Sequence, residues 1–372
     1  MKTEVEFSDG LLYKDNVQMY LTPINVFILI LNKILETEDE VTCRKIFRDA
    51  IKKDAKIIYE QNKSKKISNL QKIEFILNFI NTLGIGKIIL KFNTNNKLVF
   101  IQDKKILSNI YFNLFKTEPK ILLEEIFCGY LEESISLLFK KETLCEIKKE
   151  NNIIKYEVLI TQNNLKDNEK QIFSYEQKNN SINEKSNSLK RVIVNKHLII
   201  NEGICTLWGV YAILIPYCYF IELTKKLDRE KYDSFFENLG ILLGSVSVDL
   251  QRQLFGISKD LFKQVAEQTE LVGTGKNQYS FNEENVLDFK YINNLEKHFK
   301  NKYSENELFL IKLYFRSLIR GVYQSSFEKT SLIEINKDEE SFRLIPKNTT
   351  YELNKTQEKI KKYLNTKIII NK

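Results

Sequence analysis

Residues 84–100 read GIGKIILKFNTNNKLVF, and residues 273–289 read GTGKNQYSFNEENVLDF. Eight of the 17 positions are identical without a gap, among them Gly84 with Gly273, Gly86 with Gly275, Lys87 with Lys276 and Phe92 with Phe281. Chance would supply about one or two, so the chain reads as a duplication. Two further blocks fall in the same order. FKKETLCEIKK at 139–149 matches FEKTSLIEINK at 327–337, and TPINVFILILNK at 22–33 resembles IPYCYFIELTKK at 215–226. The expected organisation is a first module at 1–160, a flexible polar linker at 161–190, a diverged second copy at 191–346 and a basic tail at 347–372.

Outward from the repeated block, each unit has a readable order. Residues 11–21 look extended and lead to Pro23, a residue suited to a helix's first turn, so 23–35 are expected to be helical. Residues 42–62 and 67–83 carry apolar side chains at three- and four-residue spacing, as amphipathic helices do, and Gly84 sits where a helix stops. Two β-prone arms around an Asn-rich turn make 87–102 a hairpin. A helix at 119–139 and a second hairpin at 143–160 complete the unit. The fold class is therefore α+β, with two tandem modules, each an antiparallel four-to-five-stranded sheet packed against a layer of helices.

Composition narrows the function. With 43% hydrophobic residues, 24 Phe and 18 Tyr, the 372-residue chain can fill real cores. A formal charge of +8 is dispersed among alternating signs, which argues for a mixed solvated surface and no nucleic-acid partner. Five cysteines at irregular spacing make neither a disulfide framework nor a zinc cassette, so a reducing cytoplasm is expected. Residues 204–221 carry no charge, yet Gly209 and Pro216 break them, and a buried strand and helix start is favoured over a membrane span. Tyr217, Tyr219 and Phe220 beside Trp208 are read as core, or as the lining of an apolar pocket. In GTGK, Glu270 and Asn277 stand where a phosphate-binding loop needs Gly and Ser or Thr, so the glycines are turn residues.

The element order, together with EEIFCGYLEESISLLFKKETLCEIKKENNIIKYEVLI after GIGK, resembles the 4-vinyl reductase domain and the related small α+β subunits of the TRAPP trafficking complex. Cys128 matches the cysteine that opens that family's last helix, and Glu142 with Cys145 match its Glu-x-x-Cys strand. The family's Gly-rich stretch is replaced by Leu131-Glu132-Glu133, and its closing Cys by Lys155-Tyr156-Glu157. In the second unit Arg316 and Ile333 stand at the two cysteine positions. The resemblance implies that Cys128 and Cys145 line a region holding a hydrophobic small molecule or an acyl chain. Read from the residues alone, they are buried structural thiols or half of a soft-metal site lacking its other ligands, so no metal and no cofactor is expected.

Only two histidines, His197 and His298, serve the whole chain, so no nucleophilic triad is assembled. The pairs Glu124-Glu125 and Glu132-Glu133 are read as the wet face of a helix. The expected function is a non-enzymatic small-molecule-binding or scaffold protein whose modules form a pseudo-dimer within one chain and engage protein partners. One alternative is a subunit of a TRAPP-like tethering complex, with the tail, +5 over 347–372, touching anionic membrane at the cytoplasmic face. Another is an enzyme acting on a tetrapyrrole-like or aromatic substrate.

Overall fold

The computed structural model describes residues 5–8, 11–14, 17–63, 68–94, 96–102, 105–150, 153–164, 198–201, 204–207, 210–256, 260–293, 299, 302–336 and 341–366. The expected linker from 165 onward, Trp208, His197 and His298 lie outside these residues.

The first half runs β1 (Glu6–Ser8), β2 (Leu11–Lys14), β3 (Val17–Pro23), α1 (Ile24–Thr37), α2 (Glu40–Asn62) and α3 (Asn69–Asn81). It continues with β4 (Ile88–Asn93), β5 (Lys97–Gln102), α4 (Ile106–Phe115), α5 (Glu125–Phe139), β6 (Lys141–Glu150) and β7 (Ile153–Asn164). The second half has β8 (Leu198–Asn201), β9 (Ile204–Leu207), β10 (Val210–Pro216), α6 (Tyr217–Thr224), α7 (Arg229–Phe255) and α8 (Leu261–Leu271). β11 (Lys276–Phe281), β12 (Leu287–Asn293), α9 (Glu305–Phe327), β13 (Lys329–Ile335), β14 (Ser341–Thr350) and α10 (Lys355–Leu364) follow. The two orders correspond element for element, except that α4 and α10 have no described counterparts. Matching caps fix the alignment. Asp39 and Asp228 cap α2 and α7, each accepting a backbone N–H, and Lys140 and Glu328 end α5 and α9 in the left-handed conformation.

Each half builds its own four-stranded antiparallel sheet, β4-β5-β7-β6 and β11-β12-β14-β13, as the α+β reading expects. The N-terminal strands correct that reading. They join neither of these sheets but form a separate six-stranded one, β1-β2-β3-β10-β9-β8, to which each half contributes three strands. β3 and β10 meet antiparallel at its centre, with Leu21 opposite Leu214. Both are the third-last residue of a strand ending in proline, so a local twofold axis passes between them. A fixed φ and a missing N–H make Pro23 and Pro216 poor ladder members but good helix openers, and α1 and α6 begin directly after them.

The repeated glycines explain how the halves lock. The Leu21 N–H donates to the Val272 carbonyl at 2.9 Å, and the Leu214 N–H donates to the Leu83 carbonyl at 3.0 Å. Each glycine turn therefore docks on the central strand of the other half. Gly84 and Gly273 have φ of +89° and +92°, and a Cβ would stand 2.9 Å from the Ala212 carbonyl oxygen and 2.6 Å from that of Met19. Two requirements, left-handed backbone and close approach, coincide at each position.

Two sequence expectations change in detail: α4 lies in a stretch where no helix was expected, and α5 begins at Glu125 rather than near 119. Within the tail, Lys355–Leu364 form a helix packed on the rest of the chain. β14 extends to Thr350, and α10 packs Ile360, Tyr363 and Leu364 into the core, while Asn25 donates to the carbonyls of Tyr363, Leu364 and Thr366 at its C-terminal end. The uncharged stretch at 204–221 is β9, β10 and the start of α6, as expected. No helix among the described residues is long and apolar enough to cross a membrane.

Candidate functional site

Cys128 comes from the first turns of α5 and Cys145 from the middle of β6, and the fold brings their side chains close together. Both are buried free thiols. Burial pushes the Cys128 thiol well above its ordinary range, and the Cys145 thiol beside it adds to the rise. Since the thiolate is the nucleophile, this environment suppresses reactivity. Arg48 on α2 closes the region, donating to the Cys145 carbonyl at 3.1 Å and to Glu125 at 2.7 Å.

Glu124, at the N-cap of α5, and the three glutamates within that helix correct the wet-face reading. Glu124 and Glu125 are 0% and 1% exposed. Glu124 accepts from the Ser108 hydroxyl and from its N–H at 3.1 Å, and burial holds its carboxyl above the usual range. Glu125 is clamped by Arg44 at 2.8 Å and Arg48 at 2.7 Å. Glu132 takes Lys52 at 3.4 Å and Arg48 at 3.7 Å, while Glu133 takes Lys56 at 3.8 Å. The arrival of α2 covers Glu125, Glu132 and Glu133, and α4 covers Glu124, which stands at the N-cap of α5.

The second half repeats the clamp with the charges exchanged. Arg48 and Glu237 each lie nine residues beyond their helix caps, and Glu132 and Arg320 each lie seven before the closing phenylalanine of α5 or α9. Arg320 binds Glu237 at 2.7 Å and reaches the Ser331 carbonyl of β13 at 2.8 Å, as Arg48 reaches that of Cys145. Arg316 and Ile333 occupy the two cysteine positions, so the thiol pair exists in one half only.

A cavity of about 180 Å³ lies elsewhere, at the seam of the second half. β3 and β10 form one wall, α7 and α8 the other, and Leu318 of α9 the end. Val210 and Leu250 are exposed at its mouth. Cys128 and Cys145 do not line it, and neither do Tyr217, Tyr219 and Phe220, which are buried in the core. Tyr20 packs against Tyr217, Phe220, Tyr314 and Phe315, with ring centroids 5.1 to 6.3 Å apart, and its hydroxyl pairs with that of Tyr314 at 3.1 Å. Sequence reading missed the cavity because its walls come from both halves. No group of three or more metal-ligating side chains occurs among the described residues.

All five thiols should react with an aromatic disulfide reagent at the rate of global or local unfolding, not at the rate of a free thiol. Prompt stoichiometric reaction of Cys128 in the folded chain would contradict its burial.

No family model matches the chain, and no curated protein matches it.

Proposed function

We propose that the chain is a non-catalytic binding or scaffold protein, an intramolecular pseudo-dimer of two modules similar to the vinyl-reductase and TRAPP-subunit fold. The observation that carries it is the reciprocal seam. Each half supplies the glycine turn that satisfies a backbone N–H on the other half's central strand, so neither buries its sheet edge alone. Further support comes from what the ionisable groups do. The carboxylates of α5 are held by arginine, lysine or serine across helix contacts, which fixes structure rather than leaving acids and bases free for chemistry. The order of three helices, a hairpin, two helices and a hairpin in the first half favours the family resemblance.

Two experiments test this reading. A protease site introduced between 165 and 197 should yield halves that stay together through gel filtration without denaturant, as one particle of the mass of a single chain. Halves that separate, or an uncut chain that self-associates through the seam, would defeat it. Native mass spectrometry of the affinity-purified chain should then find a bound small molecule or a stoichiometric protein partner.

The tethering-subunit reading shares this framework. Lys355, Lys359 and Lys362 are exposed on α10, whereas its apolar stripe is engaged in packing, so any membrane contact would be electrostatic. Reversing these three lysines to glutamate should abolish flotation with anionic vesicles if that reading holds. A wild-type chain that does not float removes it.

A further inference from the structure

The seam cavity exists in only one of two related places, and the difference is written in side-chain size. Gln268 stands five residues before Gly273, and Phe79 stands five before Gly84. By the same anchors, Leu318 corresponds to Tyr130, Ser247 to Ile58 and Ala212 to Met19. At all four positions the first half carries the larger apolar residue, and all four are at most 1% exposed there. Phe79 and Tyr130 stack with their ring centroids 6.1 Å apart, occupying the space that Gln268 and Leu318 leave open. Tyr20 and Leu243 run the other way, with Ile213 and Asp54 in their places, but they do not close the cavity. Interiors are normally packed to crystalline density, and an unfilled apolar void of this size costs stability. A pseudo-symmetric fold that fills one copy and opens the other has a void with a use.

We propose that this seam cavity binds one uncharged, predominantly apolar small molecule per chain, of one or two fused rings or the equivalent length of alkyl chain, with a single hydrogen-bonding group. The proposal deepens the binding-protein reading and rests on it, because both halves build the walls. Size follows from volume: an apolar cavity of about 150 Å³ holds benzene, and this one is about 180 Å³. The absence of charge follows from the lining, which among the described residues contains no Asp, Glu, Lys or Arg; an ion would be desolvated there without a partner. The polar group follows from Thr22, whose hydroxyl is buried at the cavity wall, beside the Tyr20–Tyr314 pair, without a well-formed hydrogen bond of its own.

The test uses the full chain with 1-aminonaphthalene, neutral at pH 7 and brighter in apolar surroundings, and with the anion 1-naphthalenesulfonate. Saturable uptake of one aminonaphthalene per chain is expected, with the sulfonate at least ten-fold weaker. Gln268→Phe and Ala212→Met, which restore the first half's residues, should each weaken uptake at least ten-fold while the circular dichroism spectrum stays native. Two variants are used so that a folding defect in one leaves the other decisive. No saturable uptake by the wild-type chain overturns the proposal. So does undiminished uptake by a folded cavity-filled variant, and equal affinity for the anion overturns the uncharged class. A chain whose cleaved halves stay together but that takes up no probe refutes this inference and leaves the pseudo-dimer standing.

Discussion

Alanine at Gly84 or Gly273 is expected to destabilise the chain by about 2–6 kcal/mol each. That range combines about 1–3 kcal/mol for forcing a side chain into the left-handed region with a similar amount for overpacking. In each case the added Cβ meets backbone across the seam, an atom that cannot rotate away. Against a typical stability of about 5–15 kcal/mol, the double variant should lose most of its cooperative unfolding transition. Gly256 is the control. Its φ of +80° with ψ of −174° is a region open essentially to glycine alone, but no described atom lies within 4 Å of a Cβ there, so Gly256→Ala should cost only the backbone part, about 1–3 kcal/mol. Urea midpoints measure all three. If Gly84→Ala and Gly256→Ala shift the midpoint equally, the seam contact contributes nothing.

Asp54 should produce the opposite sign. It is fully buried on α2 where that helix crosses α6, and neither carboxyl oxygen has a well-formed hydrogen bond, the Tyr219 backbone offering only a weak one. Its surroundings are Tyr219 and Glu222 from α6, Lys53 from its own helix and Tyr303 ahead of α9; Lys53 is already bound to Glu222 at 2.9 Å and to the Tyr303 hydroxyl at 2.7 Å. Burial raises the Asp54 pKa well above the carboxylate range, Glu222 raises it further, and Lys53 offsets a part. A folded pKa above the unfolded one means that stability is complete below the unfolded value, about 3.8, and falls as pH rises toward the folded value. The loss approaches about 1.4 kcal/mol per pH unit across that window. Asp54→Asn and Asp54→Leu should therefore be more stable than wild type at pH 7, by on the order of 1–4 kcal/mol. The advantage should shrink as pH approaches 4. Leucine is the residue the second half carries at this place, Leu243. Parallel Tm-against-pH curves for variant and wild type would show that Asp54 does not titrate across this range.

Both effects sit on the seam, and that is where sequence reading and structure part. The repeat 84–100 with 273–289 fixed the order of elements in each half, because spacing of apolar residues, prolines at helix starts and glycines at helix ends are local properties. The same local signals placed the uncharged 204–221 in a strand and a helix start. They also paired Cys128 with Cys145, since a helix and the strand that follows it meet at one end. α4 escaped because its ten residues are apolar on most sides, and a short buried helix shows little periodicity to distinguish it from a strand.

What the chain could not announce is which surfaces meet across nearly 200 residues of sequence. That β3 pairs with β10, that the stripe on α10 packs inward and that one half keeps a cavity its twin fills depend on contacts between the halves, while the burial of Glu124 and Glu125 depends on α4 and α2 arriving from elsewhere in the first half. Local pattern determines what each segment becomes, because backbone geometry and capping act over a few residues. Burial depends on what arrives from elsewhere, so the glycine turns, the buried Asp54 and the empty seam acquire their meaning only in the tertiary structure.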